Sequence, residues 1–420
     1  MKPLLLVASL LATPAWAADT WRFNFDGKPA KGEVAVTADT AYSRERGHGF
    51  EANEPRNAAG LPYFFSVDLP EGNYRITATL GAAAASDTTI KAELRRLALD
   101  AVQLPAGASE ARSFIVNLRT ANIAAAPGNP AIEAGRVKLK EREIASEGWA
   151  WDKRLTLEIN GSQPALRSLL IEPVKLPTVY LLGDSTVADQ SGEPYASWGQ
   201  MLPALFKPTV AVSNHAESGE TYRDSLARRR IDKILSTLQP GDTVLLQFGH
   251  NDQKQQKDGS GNADSYKAEL RTHAEAVLAR GGVPVVASSM ERRNFDAQTG
   301  KLKPSLLEYA DAARSVARDM KLAFIDLNGM SQQLYAALGP ERSQAMHPLN
   351  NGKLDNTHHN SYGAMQLARL VALGLREAHV PVAAQLRDDL GVIAPAQPPA
   401  PEQFRLAVSP GFTQQRPLGD

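Results

Sequence analysis

The chain changes texture once, in the short stretch 173–177, and that change limits what it can fold into more than any bulk property does. Before it, apolar residues alternate with polar ones: Trp21, Phe23 and Phe25; Phe65, Val67 and Leu69; Tyr74, Ile76, Ala78 and Leu80; Phe114, Val116 and Leu118; Leu155, Leu157 and Ile159. Residues two apart share one face of a strand, so each run predicts a strand with one buried face. Turn signals such as Asp26-Gly27 and Pro70-Glu71-Gly72-Asn73 separate them. Several such strands predict an all-β sandwich of jelly-roll or galactose-binding-like form. After residue 177, apolar runs at 179–182, 210–213, 244–248, 283–288 and 323–326 alternate with helical stretches near 198–206, 225–238, 265–280, 305–320 and 361–378. That alternation predicts an α/β domain with a parallel sheet and right-handed crossovers.

The expected organisation is therefore a leader at 1–17, a β-sandwich accessory domain at 18–174, an α/β domain at 175–385 and a Pro-rich tail at 386–420. The leader has Lys2, then an apolar core at 4–12 too short to span a bilayer, then the small-residue cleavage site Ala15-Trp16-Ala17. It predicts an exported protein, periplasmic or extracellular, with no membrane attachment after cleavage. Lysine plus arginine number 46 and aspartate plus glutamate 46, so no net field favours nucleic acid. Cysteine is absent, which excludes disulfides, a thiol nucleophile and thiolate-bound metal.

Four loops of the α/β half carry the chemistry. They are Gly183-Asp184-Ser185, the segment 213–219 ending in Ser218-Gly219, Gly249-His250-Asn251-Asp252 and Asp355-Asn356-Thr357-His358. A serine hydroxyl is a weak nucleophile and needs a base. His358 can take its proton through one ring nitrogen while Asp355 accepts from the other. The oxyanion of an acyl-transfer intermediate needs donors, and the N–H groups of Ser185 and Gly219 with the Asn251 amide supply three. His359 is a direct rival to His358. His215, His250, His358 and His359 lie in loops that can converge, yet serine chemistry needs no metal, and no metal or other cofactor is expected. His48, His347 and His379 read as surface residues.

Together these blocks resemble the SGNH (GDSL) hydrolases, with Ser185, Gly219, Asn251 and His358 in the four namesake positions. Within that superfamily the chain is most similar to the rhamnogalacturonan acetylesterase group. The likeness rests on Gly183-Asp184-Ser185-Thr186-Val187-Ala188, on 198–203 and 248–252, and on Asp355-x-Thr357-His358-x-Asn360-x-x-Gly363-Ala364. It implies a flavodoxin-like α/β/α fold and a serine esterase that removes O-acetyl groups from acetylated pectin. Glu220 stands where relatives usually carry arginine.

Arg223, Arg292, Arg293 and Trp198 are candidate substrate contacts, since guanidinium groups suit uronate carboxylates. Structural ion pairs are the competing explanation for the arginines. Tyr42, Trp149 and Trp151 are candidate sugar platforms or core residues. Two other functions stay open: a lipase, thioesterase, arylesterase or acetylxylan-type esterase with the same triad, and a carbohydrate-binding protein whose hydrolase half is inactive.

Overall fold

The computed structural model describes residues 20–256, 260–411, 413 and 417. The expected leader, 1–17, lies outside them. The first half holds two five-stranded sheets face to face. One runs β2-β1-β12-β5-β8, built from Trp21–Asn24 (β1), Val34–Ala35 (β2), Gly72–Leu80 (β5), Glu110–Leu118 (β8) and Leu166–Pro173 (β12). The other runs β3-β4-β11-β6-β7, built from His48–Phe50 (β3), Tyr63–Asp68 (β4), Ser86–Ala92 (β6), Arg96–Leu104 (β7) and Arg154–Gln163 (β11). A small hairpin, Asn122–Ile123 (β9) with Gly135–Arg136 (β10), stands apart.

Register explains the core. Trp21 pairs Ile171, Ile171 pairs Ile76 and Ile76 pairs Phe114, so one apolar row crosses the first sheet. In the second sheet Phe65 pairs Leu157, which pairs Ala92. These rows interdigitate in one buried cluster, the expected consequence of period-two patterning on facing sheets. The outer face of the second sheet is also buried, but with polar groups: Ser66 and Thr156 share a 2.9 Å hydrogen bond, and Lys91 lies 3.6 Å from Glu158.

The second half contains a parallel sheet ordered β14-β13-β15-β16-β17: Thr178–Gly183 (β13), Ala211–Asn214 (β14), Thr243–Gln247 (β15), Val283–Ala287 (β16) and Ala323–Ile325 (β17). In that half's own order this is 2-1-3-4-5, the flavodoxin-like arrangement, whose switch point lies beside its first strand. Apolar clusters on both faces of the sheet complete the three layers.

Where helices differ from expectation, the cause is local. The expected helix at 225–238 is two, Tyr222–Ala227 (α3) and Arg230–Thr237 (α4), because Arg229 takes a left-handed conformation, φ 62°. The expected helix at 198–206 is a short α2, Trp198–Met201, followed by a tighter turn through Pro203. A helix absent from the pattern, Leu327–Arg342 (α8), starts directly after β17 on the Asp326 cap; its Asn328-Gly329 pair imitates a turn, and Gly339, at φ 70°, kinks it before Pro340. Glu141–Ser146 (α1) is a helix inside the otherwise β half. Ser361–Glu377 (α9) follows the Asn360 cap.

After α9 the chain runs back to the sandwich. Tyr362 donates to Pro399 O, and Lys91 donates to Ala407 O and Ser409 Oγ, both at 2.7 Å. Ser409 Oγ in turn donates to the Glu158 carboxylate at 2.8 Å. The described part of the tail thus covers the polar outer face of the second sheet.

Candidate active site

Gly183 ends β13 at a point where a Cβ would meet Val187 Cγ2 at 2.5 Å and Gln247 O at 2.6 Å. Only glycine fits, and its absent side chain lets the next residues fold into a tight turn. Val187 N and Ala188 N both donate to Asp184 O in that turn. Asp184, fully buried, accepts from Thr186 N and Thr186 Oγ1 at 3.0 and 2.7 Å, and its other oxygen faces His250 Nδ1 at 3.4 Å. Its work is bracing: it fixes the turn that carries Ser185.

The Ser185 hydroxyl lies 2.9 Å from His358 Nε2, and His358 Nδ1 lies 2.9 Å from Asp355 Oδ2. A carboxylate can only accept, so Nδ1 carries the proton and Nε2 is left to accept from the serine. Asp355 Oδ1 also accepts from the N–H groups of Thr357 and His358, both at 2.9 Å. Burial raises the Asp355 pKa, but the His358 hydrogen bond and charge and those two N–H groups outweigh it and hold the carboxyl well below the usual range. All three residues are at most 3% exposed. His347, expected at the surface, is buried and meets the His358 carbonyl at 2.8 Å. His359 points elsewhere, to the Tyr335 hydroxyl at 2.9 Å. His215 packs between Trp151 and Tyr180, its Nε2 on Ser213 Oγ. Of the four loop histidines weighed as metal ligands, His215 and His359 are thus held by other partners.

The donor side is assembled by chain crossings. Glu217 N donates to Gly183 O at 3.0 Å, which ties the 217–220 loop to the serine turn. Gly219 adopts φ 75°, a region glycine tolerates without strain. Asn251 Nδ2 donates to Glu220 O at 3.0 Å, joining the third loop to the second. Gln190, which carries no sequence signal, donates to Ser185 O at 2.7 Å.

Charged residues from the first half hold this donor loop. Arg142 Nη2 meets Glu217 Oε1 at 2.6 Å, and Lys140 donates to Ser218 O. Glu220, completely buried, pairs with Arg230 Nε at 2.7 Å, while Arg230 Nη2 reaches Glu143 Oε2 at 2.6 Å. Burial pushes Glu220 up to about 7 despite these cations. Burial, with Glu217 beside it, pushes Glu147 up to about 9. Among the described residues, Glu143, Glu147 and Glu217 bring carboxylate oxygens within 4.8 Å of one another. Arg142 and Arg230 already pair with members of that trio. On the serine side, Arg95 reaches in from the sandwich, donating to Tyr195 O at 2.9 Å and to Gln190 O at 3.2 Å, and pairing with Glu193 at 2.5 Å.

The expected substrate contacts fare differently. Trp198 has no exposed surface and donates from Nε1 to Gln247 Oε1 at 2.8 Å, so it is a core residue and not a sugar platform. Arg223 is exposed and paired with Glu269 at 2.9 Å. Arg292 donates to Gln253, Ser305 and His250 O, tying three loops together. Arg293 is bound to Ser343, Asn356 and Pro340 O. Trp151 is buried under the Arg119 guanidinium, and Tyr42 lies under that of Arg154.

A serine, an imidazole and a carboxylate in line at the switch point of such a sheet define an ester hydrolase of the SGNH type. The comparisons agree. The chain belongs to the GDSL-like Lipase/Acylhydrolase family, which it matches over residues 181–364. It is 37% identical over 215 residues to the rhamnogalacturonan acetylesterase RhgT of Bacillus subtilis, covering 49% of this chain and 91% of that one. It is 28% identical over 390 residues to the uncharacterized esterase YxiM of the same organism, covering 86% of this chain and 92% of the relative. A crystal structure of YxiM aligns with a TM-score of 0.48 at 24% identity, over 86% of this chain and 99% of that one.

Proposed function

We propose that this hydrolase removes O-acetyl groups from a plant cell-wall polysaccharide, pectin and its rhamnogalacturonan first among them, through an acetyl-enzyme. The observation that carries the chemistry is the unbroken line Ser185–His358–Asp355, with both hydrogen bonds at 2.9 Å. The similarity to a rhamnogalacturonan acetylesterase over nearly that relative's whole length supports the substrate class.

In this reading the Ser185 proton passes to His358 Nε2 as the oxygen attacks the acetyl carbonyl. The oxyanion is held by the N–H groups of Ser185 and Gly219 and by the Asn251 amide. Collapse breaks the ester bond, and the sugar oxygen leaves with the proton from His358. Water then attacks the acetyl-enzyme with His358 as base, and acetate and free Ser185 result. Protonated imidazole cannot act as the base, so activity falls on acidification. The protein acts after export and removal of residues 1–17, with 18–174 as accessory domain, 175–385 as hydrolase and 386–420 as tail. No helix among the described residues is long and apolar enough to cross a membrane.

Acetate release from acetylated pectic, xylan and mannan substrates tests the proposal, with Ser185→Ala as control. The pectic substrate should give the highest kcat/KM, and the variant should lose at least about 10⁴-fold. Full activity in Ser185→Ala would end the mechanism. A preference for octanoyl over acetyl p-nitrophenyl esters would place the enzyme among lipases instead.

A further inference from the structure

A cavity of about 350 Å³ that the reaction does not use lies beside the candidate site, between the sandwich, α1 and the tail. A narrower crevice lined by Gln190 and Tyr195 shares Ser146 and Ser191 with it. Gln190 holds the Ser185 carbonyl, and the Tyr195 ring meets His358 edge-on with centroids 6.0 Å apart. The cavity thus adjoins, through Ser146 and Ser191, a crevice whose walls touch Ser185 and His358, and its volume falls in the range of small-ligand sites.

Its walls have two characters. Phe64 and the half-buried Trp149, with ring centroids 5.6 Å apart, form an apolar side, and Ile144 beside them is 67% exposed. Arg95, Ser146 and Ser191 also line it. An aromatic surface beside polar side chains suits a pyranose ring, which offers a C–H face and a rim of hydroxyls. Charge narrows the choice further. The Arg95 cation is already paired with Glu193, whereas Glu54, Glu93 and Glu158 add carboxyl groups to the lining. Burial raises the pKa of Glu54 and pushes Glu93 up to about 8, so a further carboxylate is unwelcome there.

We propose that this cavity is a subsite for a neutral pyranose unit of the same polysaccharide chain whose acetyl group is removed at Ser185. The proposal rests on the carbohydrate reading above and deepens it. The first half of the chain then helps select the substrate, with Trp149 as the stacking platform.

Two experiments test it. In the first, Ser185→Ala protein is titrated calorimetrically with a galactan oligosaccharide and with a galacturonan oligosaccharide of equal length. The neutral probe should bind more tightly, and adding Trp149→Ala should weaken it about tenfold, a loss of about 1.4 kcal/mol. In the second, Ile144→Ser, at an exposed position that folding does not require, should lower the ratio of kcat/KM on acetylated oligosaccharide to that on p-nitrophenyl acetate. Tighter binding of the acidic probe, or neutral binding untouched by Trp149→Ala, overturns the subsite. If the subsite binds neutral sugar but no acetylated polysaccharide is hydrolysed, the proposed function fails and the subsite stands. If pectin is deacetylated while both substitutions leave binding and the ratio unchanged, the reverse holds.

Discussion

The two sides of the candidate site are fastened differently. The Ser185–His358–Asp355 line hangs on the hydrolase half's own loops: the Asp184-braced turn, the N–H groups of Thr357 and His358, and His347 beneath them. The donor side, 217–220, hangs largely on charges that arrive from residues 140–147 and from Arg230. Backbone hydrogen bonds within one short loop form with the loop itself. Buried ion pairs between distant segments form only when both segments dock, and removing one partner strands the other charge. The reacting line is thus held mainly within its own half, with Arg95 reaching it only through Gln190 and Tyr195, whereas the donor loop is fastened directly by the first half of the chain.

The largest effect should come from the reacting line. Asp355→Asn keeps the shape but no longer holds the proton on Nδ1, and kcat on p-nitrophenyl acetate should fall about 10⁴-fold. Its melting temperature above pH 6 should fall as well, because a carboxyl with a depressed pKa stabilises the fold above the ordinary carboxylate range and loses that contribution on acidification. A drop in kcat of less than tenfold would remove Asp355 from the line.

Next comes the donor side. Glu143→Ala leaves Arg230 short of one carboxylate in a place with no solvent, and urea unfolding should show a loss of about 3–5 kcal/mol. Breaking the exposed Arg271–Asp319 pair in the same way should cost no more than about 1 kcal/mol. Equal losses would erase the distinction between buried lattice and surface pair.

The smallest effect, at most about 1.4 kcal/mol per pH unit, is a slope. Glu147 binds its proton more tightly folded than unfolded, so between about 4.5 and about 9 the folded state holds the extra proton and stability declines as pH rises. Glu147→Gln should flatten that decline in thermal melts across the same window. An unchanged slope would show that another group sets it.

Much of this was legible beforehand because it is local. Period-two patterning at Tyr74–Leu80 fixes which face of that strand is buried, whatever packs on it, and all five parallel strands fall where apolar runs predict them. Asp355 and His358 are three residues apart, so their pairing needs only one loop. Trp198 misled because an aromatic beside a catalytic block looks the same in sequence whether it faces solvent or Gln247. His347 misled likewise, since nothing near it in the chain signals its burial.

By itself, then, the sequence determined the strand and helix texture, the class of chemistry and the candidate residues for it, since each depends on side-chain type and short-range spacing. Only the tertiary structure decided what holds Glu220, why Arg95 belongs to the serine side, and that a cavity opens between the sandwich, α1 and the tail. Glu220 and Arg230 are ten positions apart, but the other contacts join residues from about ninety to over three hundred positions apart, and no local pattern encodes which charge will meet which once the chain has closed on itself.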